Sequence, residues 1–320
     1  MAISDHRAAN IRPLLWLGAG FAALAAAAVF NRSAAAGAER DHPPIGRFVH
    51  VDGTPVHYFE RGQGSPIVLI HGSASLIEDF VVSGLVERLA RAHRVIVFDR
   101  PGYGYTPRPR GNAWTAERQA ALLVKACAAL GVERPVVVGH SWGTLPALSW
   151  ALDHRERISG LVLLSGYFYA TARPDVVMAA IAGSPVVGDV IANTIAPIQT
   201  RLLGPLGNMM IFSPNDPTDA FLNEMPFGLM LRPGQLRATA ADSGQMSVTA
   251  ARLSPRYGEL KLPLAIVWGT GDKLVMQQAQ SERLVAELPC ATATPMPHVG
   301  HMIHHVDPDG VASAVLRVLD

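Results

Sequence analysis

The stretch VVVGHSWGT, residues 136–144, decides the fold of this 320-residue chain. Three valines lead into Gly-x-Ser-x-Gly, and small and apolar residues follow. This order predicts a buried strand, a tight turn that carries Ser141, and a helix. Gly139 and Gly143 suit that turn because the backbone passes too close there for side chains. A lone Gly-x-Ser-x-Gly is a common pattern, so the rest of the chain must decide what it means.

Apolar runs alternate with helical patterns along most of the chain. The expected strands cover residues 48–51, 56–59, 67–70, 95–98, 136–138, 161–164, 264–268 and 293–296. Helices are expected over 77–92, over 115–130 and after Asp307-Pro308, and Asp52-Gly53 predicts a hairpin turn. Strands that alternate with helices predict an α/β protein, in which a mostly parallel sheet carries helices on both faces.

Polar residues follow several of these strands directly. They are His71-Gly72, Asp99-Arg100, Ser141 and Ser165. Ligands of such sheets bind beyond the carboxyl ends of the strands. We therefore expect these residues to line one edge of the sheet.

Three motifs carry a resemblance to a known family: HGS at 71–73, DRPGYG at 99–104 and GHSWG at 139–143. With them, the chain from about His50 to Leu164, and from about Leu264 to its end, resembles the α/β-hydrolase family. The resemblance implies a hydrolase core in two parts, 45–165 and 262–320, with an inserted helical cap over 166–261. It is specific for the fold and much less so for the substrate.

A serine nucleophile needs a base, and the base needs an acid that orients it. In this family the chain order is serine, acid, histidine. Asp272 follows a late strand, and His301 follows Gly300 near the end of the chain, so both match that order. The resemblance also implies an oxyanion hole of two backbone N–H groups, those of Trp142 and Ser73, with Ala74 as the fallback for the second.

Other histidines are expected to be structural. His71 should hydrogen-bond its own loop and His140 should pack under the turn. His298 lacks a preceding glycine, while His304 and His305 should begin a helix or face solvent. The spacing matches metal sites poorly. We therefore predict no metal and no cofactor.

The cap is rich in methionine and phenylalanine, which suit an adaptable apolar pocket. The candidate pocket residues are Met209, Met210, Phe212, Met225 and Phe227, with Phe221 and Met230 beside them. The alternative is that these side chains only pack the cap against the core. Four cap arginines could bind an acidic group of the substrate or simply face solvent: Arg173, Arg201, Arg232 and Arg237.

Residues 13–30 contain no charge and follow Arg7 and Arg12. As a helix they span about 27 Å, close to the thickness of a bilayer's hydrocarbon core. This favours a membrane anchor with the catalytic domain outside the cytoplasm, in a bacterium the periplasm. Small residues at 34–38 leave a cleaved signal peptide, periplasmic or secreted, as the alternative. Residues 31–44 are expected to form a linker.

The formal net charge is +1 and no long Lys or Arg run occurs, so nucleic acid is not an expected partner. Cys127 and Cys290 are expected to be buried unpaired thiols, with a disulfide as the alternative. The oligomeric state stays open.

These features together predict a capped serine hydrolase acting on an ester, thioester or lactone of an apolar small molecule. The serine at position 141 disfavours the epoxide and haloalkane branches, which use an aspartate. Three alternatives stay open. They are hydrolysis of carbon–carbon bonds in ring-fission products, release of N-terminal proline with Glu224 binding the amine, and a ligand carrier without activity.

Overall fold

The computed structural model describes residues 12–111, 113–171 and 174–319. The strands are β1 Arg47–Val51, β2 Thr54–Arg61, β3 Pro66–Ile70, β4 Arg94–Phe98, β5 Val136–His140, β6 Gly160–Leu164, β7 Leu264–Gly269 and β8 Thr292–Met296. The helices before β7 are α1 Arg12–Asp41, α2 Ile77–Val82, α3 Leu85–Leu89, α4 Ala116–Ala129, α5 Thr144–Asp153, α6 Pro174–Ala182, α7 Val187–Asn193, α8 Ile195–Phe212, α9 Asp219–Glu224, α10 Phe227–Met230 and α11 Pro233–Leu253. The helices after β7 are α12 Ser281–Glu287, α13 Ile303–Val306 and α14 Pro308–Leu319.

The eight strands form one sheet in the order β1-β2-β4-β3-β5-β6-β7-β8. The pairs β1–β2 and β2–β4 are antiparallel, and all later pairs are parallel. The turn at Asp52-Gly53 closes the first hairpin, where Val51 pairs with Thr54. This architecture confirms the predicted α/β-hydrolase fold class.

Helices cover both faces of the sheet, and alternate strand residues point into two separate cores. In β3, Val68 and Ile70 pack with α4 and α5, while Ile67 and Leu69 pack with α2, α3 and α14. A parallel strand buried on both faces is continuously apolar, as its sequence is. The two helical layers and the sheet between them hold the carboxyl ends of β3, β5, β6 and β7 side by side.

The predicted helix over 77–92 is broken into α2 and α3. Gly84 adopts a left-handed conformation, with φ +74°, between the two helices. Glycine takes this conformation without strain, so the chain turns there instead of continuing the helix. The apolar pattern continues across the break, and for this reason periodicity alone missed it.

The linker expected over 31–44 is wrong for most of its length, because α1 continues to Asp41. The second half of this helix packs against the cap. Ala38 joins Leu76 and Leu229 in a small apolar cluster, and Glu39 pairs with Arg232 at 2.9 Å. Contacts with residues that are distant in the chain thus extend the helix, and the local sequence does not reveal them.

Among the described residues, α1 is the one helix long and apolar enough to cross a membrane. The most apolar 18-residue stretch within Leu15–Asp41 has a mean hydropathy of 1.3, and 6% of it is buried. Helices α6 and α7 are long and apolar enough only when they are taken together, and the chain bends by 90° between them. An apolar helix near the start of the chain fits a signal anchor or a signal peptide.

The prediction of two buried thiols holds for one cysteine only. Both cysteines are free; Cys127 is buried in α4, and Cys290 is exposed in the loop before β8. Burial raises the pKa of the Cys127 thiol well above its usual range, so this thiol stays protonated and unreactive.

Candidate active site

The turn after β5 has the strained geometry expected for Ser141, whose φ is +52°. A Cβ on Gly139 would lie 2.5 Å from the carbonyl oxygen of Gly143. A Cβ on Gly143 would lie 2.3 Å from the carbonyl oxygen of Ile70 in β3. Neither position accepts a side chain: Gly139 is required by the backbone of the turn itself, and Gly143 by the approach of β3.

Three predicted residues from three strand-end loops come together at this turn. His301 Nε2 lies 2.9 Å from Ser141 Oγ, and His301 Nδ1 lies 2.7 Å from Asp272 Oδ2. These are hydrogen-bond distances, and His301 and Asp272 are both buried. A proton on Nδ1 points at the carboxylate, which leaves Nε2 free to accept the proton of the serine.

Asp272 is held as an acceptor by its own loop. Its Oδ1 accepts hydrogen bonds from the N–H groups of Leu274 at 2.8 Å and Val275 at 3.1 Å. The side-chain amide of Gln277 donates to Oδ2 at 3.2 Å. The loop sequence predicts neither this set of donors nor the role of Gln277, because a glutamine five residues beyond an aspartate carries no recognisable signal.

The loop after β3 forms the opposite wall of the site. Ser73 and Ala74 line the same cavity as Ser141, and Ala74 has a φ of +51°. Burial and the charge of Arg100 lower the pKa of His71 to about 4. Neutral His71 therefore donates from Nδ1 to the carbonyl of Gly72 at 2.8 Å and accepts the Arg100 N–H at Nε2.

Arg100 connects this loop to the cap, which the sequence did not indicate. Its guanidinium donates to the carbonyls of His71 at 3.0 Å and Gly72 at 2.8 Å. It also pairs at 2.6 Å with Asp242 of α11, and both side chains are fully buried. Asp242 also accepts hydrogen bonds from Arg108 and from the Tyr103 hydroxyl. The loop and the cap are thus joined by a buried ion pair.

Asp99 braces the neighbouring loop. Its Oδ1 accepts the N–H of Ile77 and its Oδ2 accepts that of Tyr105, while His57 Nδ1 lies 2.6 Å away. Ser165 is fully buried after β6 and does not line the cavity. The residues that follow the strands therefore do meet at one edge of the sheet, as predicted, but Asp99 and Ser165 do not line the cavity there.

A second group of histidines lies beneath the site. His304 and His305 are buried in α13, so the expectation that they could face solvent is wrong, although they do begin a short helix. His305 Nε2 lies 2.8 Å and His304 Nε2 3.2 Å from Asp79 Oδ1 of α2. Burial opposes the charge of Asp79, but the two histidines hold its pKa well below its usual range.

Donor atoms of Asp79, His304 and His305 lie within 4.8 Å of one another, a spacing that could hold a metal ion. The sequence could not reveal this carboxylate, because Asp79 lies more than two hundred residues away from the histidines. His305 Nε2 is hydrogen-bonded to Asp79 Oδ1 at 2.8 Å, His304 Nε2 contacts the same oxygen at 3.2 Å, and Ser75 Oγ donates to the other oxygen at 2.8 Å. We interpret the cluster as a buried polar network.

His140 and His298 differ in position. His140 is buried with its ring 4.4 Å from that of His304, and its Nε2 lies 3.2 Å from the carbonyl oxygen of His301. Burial and the neighbouring histidines hold its pKa well below the usual range. It is therefore neutral and buried beneath the site. His298 is exposed and is not among the residues that surround Ser141 in the cavity.

A cavity of about 780 Å³ opens above Ser141 and His301, with a mostly apolar wall. Its lining includes the predicted residues Met209, Met225, Phe227, Phe221 and Met230. Two predicted pocket residues are wrong. Met210 of α8 does not line the cavity, while Phe212 is fully buried in contact with Phe221 and His305. The helical rotation of α8 decides both, and the sequence did not fix that rotation.

The cap arginines have different surroundings. Arg201 lines the cavity. Arg232 pairs with Glu39 and Arg237 pairs with Asp189 at 2.8 Å, so neither is free to bind a substrate group. Arg173 lies outside the described residues.

A serine on a sharp strand-to-helix turn, hydrogen-bonded through a histidine to an aspartate at the edge of such a sheet, is the arrangement of the α/β-hydrolase class. Comparison with known proteins agrees. The chain belongs to the family described as the alpha/beta hydrolase fold, which matches residues 65–308.

Individual relatives are similar over different lengths. The 2-hydroxymuconate semialdehyde hydrolase of Pseudomonas putida is 32% identical over 127 residues, which cover 40% of this chain and 45% of that protein. The 2-hydroxy-6-oxo-6-phenylhexa-2,4-dienoate hydrolase of Burkholderia cepacia is 26% identical, covering 77% of this chain and 84% of that protein. Both relatives are hydrolases, which supports a hydrolase here.

Among solved structures, a membrane phospholipase A, a bacterial virulence factor, is similar over nearly the whole length. The match has a TM-score of 0.65 and 21% identity, and covers 99% of this chain and 98% of that one. At this identity the likeness concerns the fold.

Proposed function

We propose that this protein is a serine hydrolase that cleaves an ester, thioester or lactone of an apolar substrate through an acyl-enzyme. One observation carries the proposal: the hydrogen-bonded series Asp272, His301, Ser141 opens into a largely apolar cavity. An apolar wall favours an acyl chain, and few polar groups are available to recognise a hydrophilic substrate.

In the proposed reaction, Ser141 Oγ attacks the acyl carbonyl carbon while His301 Nε2 takes the hydroxyl proton. Asp272 stabilises the imidazolium that forms. The backbone N–H groups of Trp142 and Ser73 would bind the oxyanion of the tetrahedral intermediate. His301 then gives its proton to the leaving alcohol or thiol. Water attacks the acyl-enzyme with His301 as base, which releases the acid and restores Ser141.

A second candidate is hydrolysis of a carbon–carbon bond in a ring-fission product. The similarity to two hydrolases named for such compounds favours it, and Arg201 in the cavity wall could pair with a substrate carboxylate. Release of N-terminal proline has less support, because Glu224 is exposed and does not line the cavity. A carrier without activity would not need the hydrogen-bonded Ser141 and His301.

Labelling with a fluorophosphonate probe tests the proposed nucleophile. We expect the wild type to be labelled and Ser141→Ala to remain unlabelled, while Ser73→Ala is labelled like the wild type because only its backbone is invoked. Absence of wild-type labelling, or equal labelling of Ser141→Ala, would contradict the proposal.

Hydrolysis of p-nitrophenyl esters of increasing chain length, compared with that of a ring-fission diketone, separates the two candidates. We expect turnover of the esters, with a preference for the longer acyl chains. Turnover of the diketone alone would favour the second candidate.

We also propose that α1 is retained as a membrane anchor, with the catalytic domain in the periplasm. Specific contacts of α1 with the folded domain support retention: the buried side-chain amide of Asn31 donates to the carbonyls of Asn193 and Thr194, both at 2.9 Å. A cleaved signal peptide would not need such contacts. We expect carbonate-washed membranes to keep the full-length protein, and release of a shortened soluble form would contradict retention.

A further inference from the structure

Helix α8 is poorly covered by the rest of the protein. Of its 18 residues, only Pro197 and Phe212 are buried. Its exposed large apolar side chains outside the cavity wall are Ile195, Ile198, Leu202, Leu203, Leu206 and Met210. Most helical stability in proteins comes from packing of an apolar face, and water offers none to this one. An apolar surface of this extent indicates a surface that is covered in the working protein.

Helices α6 and α7 extend the same surface. Val177, Met178, Ile181, Val186, Val187 and Val190 are all exposed and apolar. Across residues 174–213 the sequence has only three charged residues: Asp175, Asp189 and Arg201. Helix α7 contacts both α6 and α8, so these exposed apolar residues lie on neighbouring helices, and we call them together the exposed apolar face.

The position of α1 identifies what covers this face. Asn31 attaches α1 to the junction of α7 and α8, and the apolar residues before it protrude from the domain. Leu24 and Ala27 of that protruding part form an apolar groove with Ile195, Ile198 and Leu202 of α8. Leu24 lies seven residues before Asn31, or about 10 Å along a helix. If residues 13–30 cross a bilayer, the start of α8 therefore lies beside the crossing helix, about 10 Å into the membrane from the level of Asn31.

We propose that the exposed apolar face of α6, α7 and α8 inserts into the lipid bilayer that holds α1, and that the catalytic cavity takes its ester substrate from that bilayer. The inference rests on the proposed ester hydrolase function and names the substrate class as a membrane-resident acyl ester. A depth of about 10 Å is that of helices lying in the membrane interface.

The other side of α8 supports the second half of the proposal. Thr200, Arg201, Gly204 and Asn208 of α8 line the catalytic cavity. One helix therefore separates the bilayer from Ser141, and an acyl chain can pass from lipid to cavity without crossing water. Arg201 lies over the ring of Phe30, 5.5 Å from its centroid, at the end of the apolar part of α1. A long basic side chain there can reach the headgroup layer.

A second copy of the chain could also cover the exposed apolar face. The neighbouring helix α1 favours lipid instead. The groove that α8 shares with Leu24 and Ala27 is continuous with the apolar surface of the anchor, which lipid tails surround on its free sides. Lipid therefore reaches α8 without any new interface.

Site-specific labelling of the full-length protein in phosphatidylethanolamine and phosphatidylglycerol vesicles tests the insertion. Leu202→Cys in a Cys290→Ser background carries an NBD fluorophore, and the native Cys290, labelled in the wild type, is the control in the aqueous domain. We expect blue-shifted emission and quenching by nitroxide lipids at position 202 alone. Water-like emission at both positions would overturn the proposal. Blue-shifted but unquenched emission at 202 would indicate a protein partner and also overturn it.

A second experiment tests substrate access. Leu202→Glu combined with Leu206→Glu changes two exposed residues outside the cavity wall, and Leu316→Glu on α14 is the matched control. We expect the double variant to lose roughly tenfold or more in hydrolysis of a long-chain ester presented in vesicles, because carboxylates enter the hydrocarbon poorly. Hydrolysis of a short soluble ester should not change, which also shows that the variant is folded.

The two readouts separate the two proposals. Equal vesicle activity of the double variant and the wild type, or an equal loss in Leu316→Glu, would overturn membrane access while leaving the hydrolase proposal intact. A wild type that does not hydrolyse even the soluble ester would instead contradict the proposed function.

Discussion

The hydrolase core and the cap bury their apolar residues in opposite ways. Every residue of β5, β6 and β7 is buried. Helix α8, by contrast, has two buried residues among 18. The core is complete by itself, because its two helical layers cover both faces of the sheet. The cap has an apolar side that the protein leaves exposed, and we propose that lipid covers it.

The core and the cap therefore have different roles: the core holds the candidate catalytic residues, and the cap forms the cavity through which a substrate would reach them. Ser141, Asp272 and His301 all lie on loops of the rigid core, where the sheet sets their spacing. The cavity wall comes largely from the cap, whose helix α11 is joined to the core by contacts that include the buried Arg100–Asp242 ion pair. We expect changes in the core to remove turnover and changes in the cap to alter which substrate is used.

The largest effect is expected from Ser141→Ala in the core. Loss of the nucleophile should lower kcat by about 10⁴- to 10⁶-fold. Tm should change by less than about 3 °C, since the removed hydroxyl contributes little to packing. Steady-state kinetics on a p-nitrophenyl ester and calorimetry measure the two. Retention of more than a tenth of wild-type activity would contradict the assignment of the nucleophile.

The next largest effect is expected from breaking the buried ion pair that joins the core to the cap. Asp242→Ala leaves Arg100 buried without its carboxylate, which should lower the free energy of unfolding by roughly 3–5 kcal/mol. Arg256→Ala is the control, because its pairs with Asp153 and Glu259 are near the surface and contribute less than about 1 kcal/mol. Urea unfolding measures both variants, and equal losses would mean that the buried pair does not join cap to core.

A smaller change is expected from Met230→Ala in the cavity wall. Losing contact with about two methylene equivalents should lower kcat/KM for long acyl chains by roughly 5- to 30-fold, with little change for acetate esters. Val248→Ala on α11, 66% exposed and outside the wall, is the control. An equal loss for short and long chains would show that Met230 does not contact the acyl chain.

The last prediction concerns the pH dependence of stability. Burial, followed by the charge of Asp99, raises the pKa of Glu78 from 4.5 to about 8. Between these pH values the unfolded chain releases a proton that the folded protein keeps, so the free energy of unfolding falls as pH rises. Glu78→Gln should remove this slope.

At pH 8 the Glu78→Gln variant should be more stable than the wild type by on the order of 4 kcal/mol, with no difference at pH 4. Urea unfolding across that range measures it, and Glu282→Gln, on the exposed side of α12, is the control. A variant that is less stable than the wild type at pH 8 would refute the assigned cause.

Local signals were sufficient for the core. Continuous apolar runs predicted the strands, since a strand buried on both faces has no polar side. The GHSWG turn predicted Ser141, and the chain order of the family predicted Asp272 and His301, which the structure brings within hydrogen-bond distance. Such signals are reliable because a turn or a buried strand is determined mainly by residues that are neighbours in the chain.

Contacts between distant segments decided the rest. Asp242 meets Arg100 across 142 positions, and Asp79 meets His305 across 226, so neither pair leaves a local pattern. The rotation of α8, which turns Met209 toward the cavity and Met210 away, depends on how α8 packs against its neighbours. The sequence by itself thus determined the fold class and the candidate catalytic residues. Only the tertiary structure decided which side of the cap lines the cavity and which side is exposed, because both depend on how the cap helices pack against distant segments.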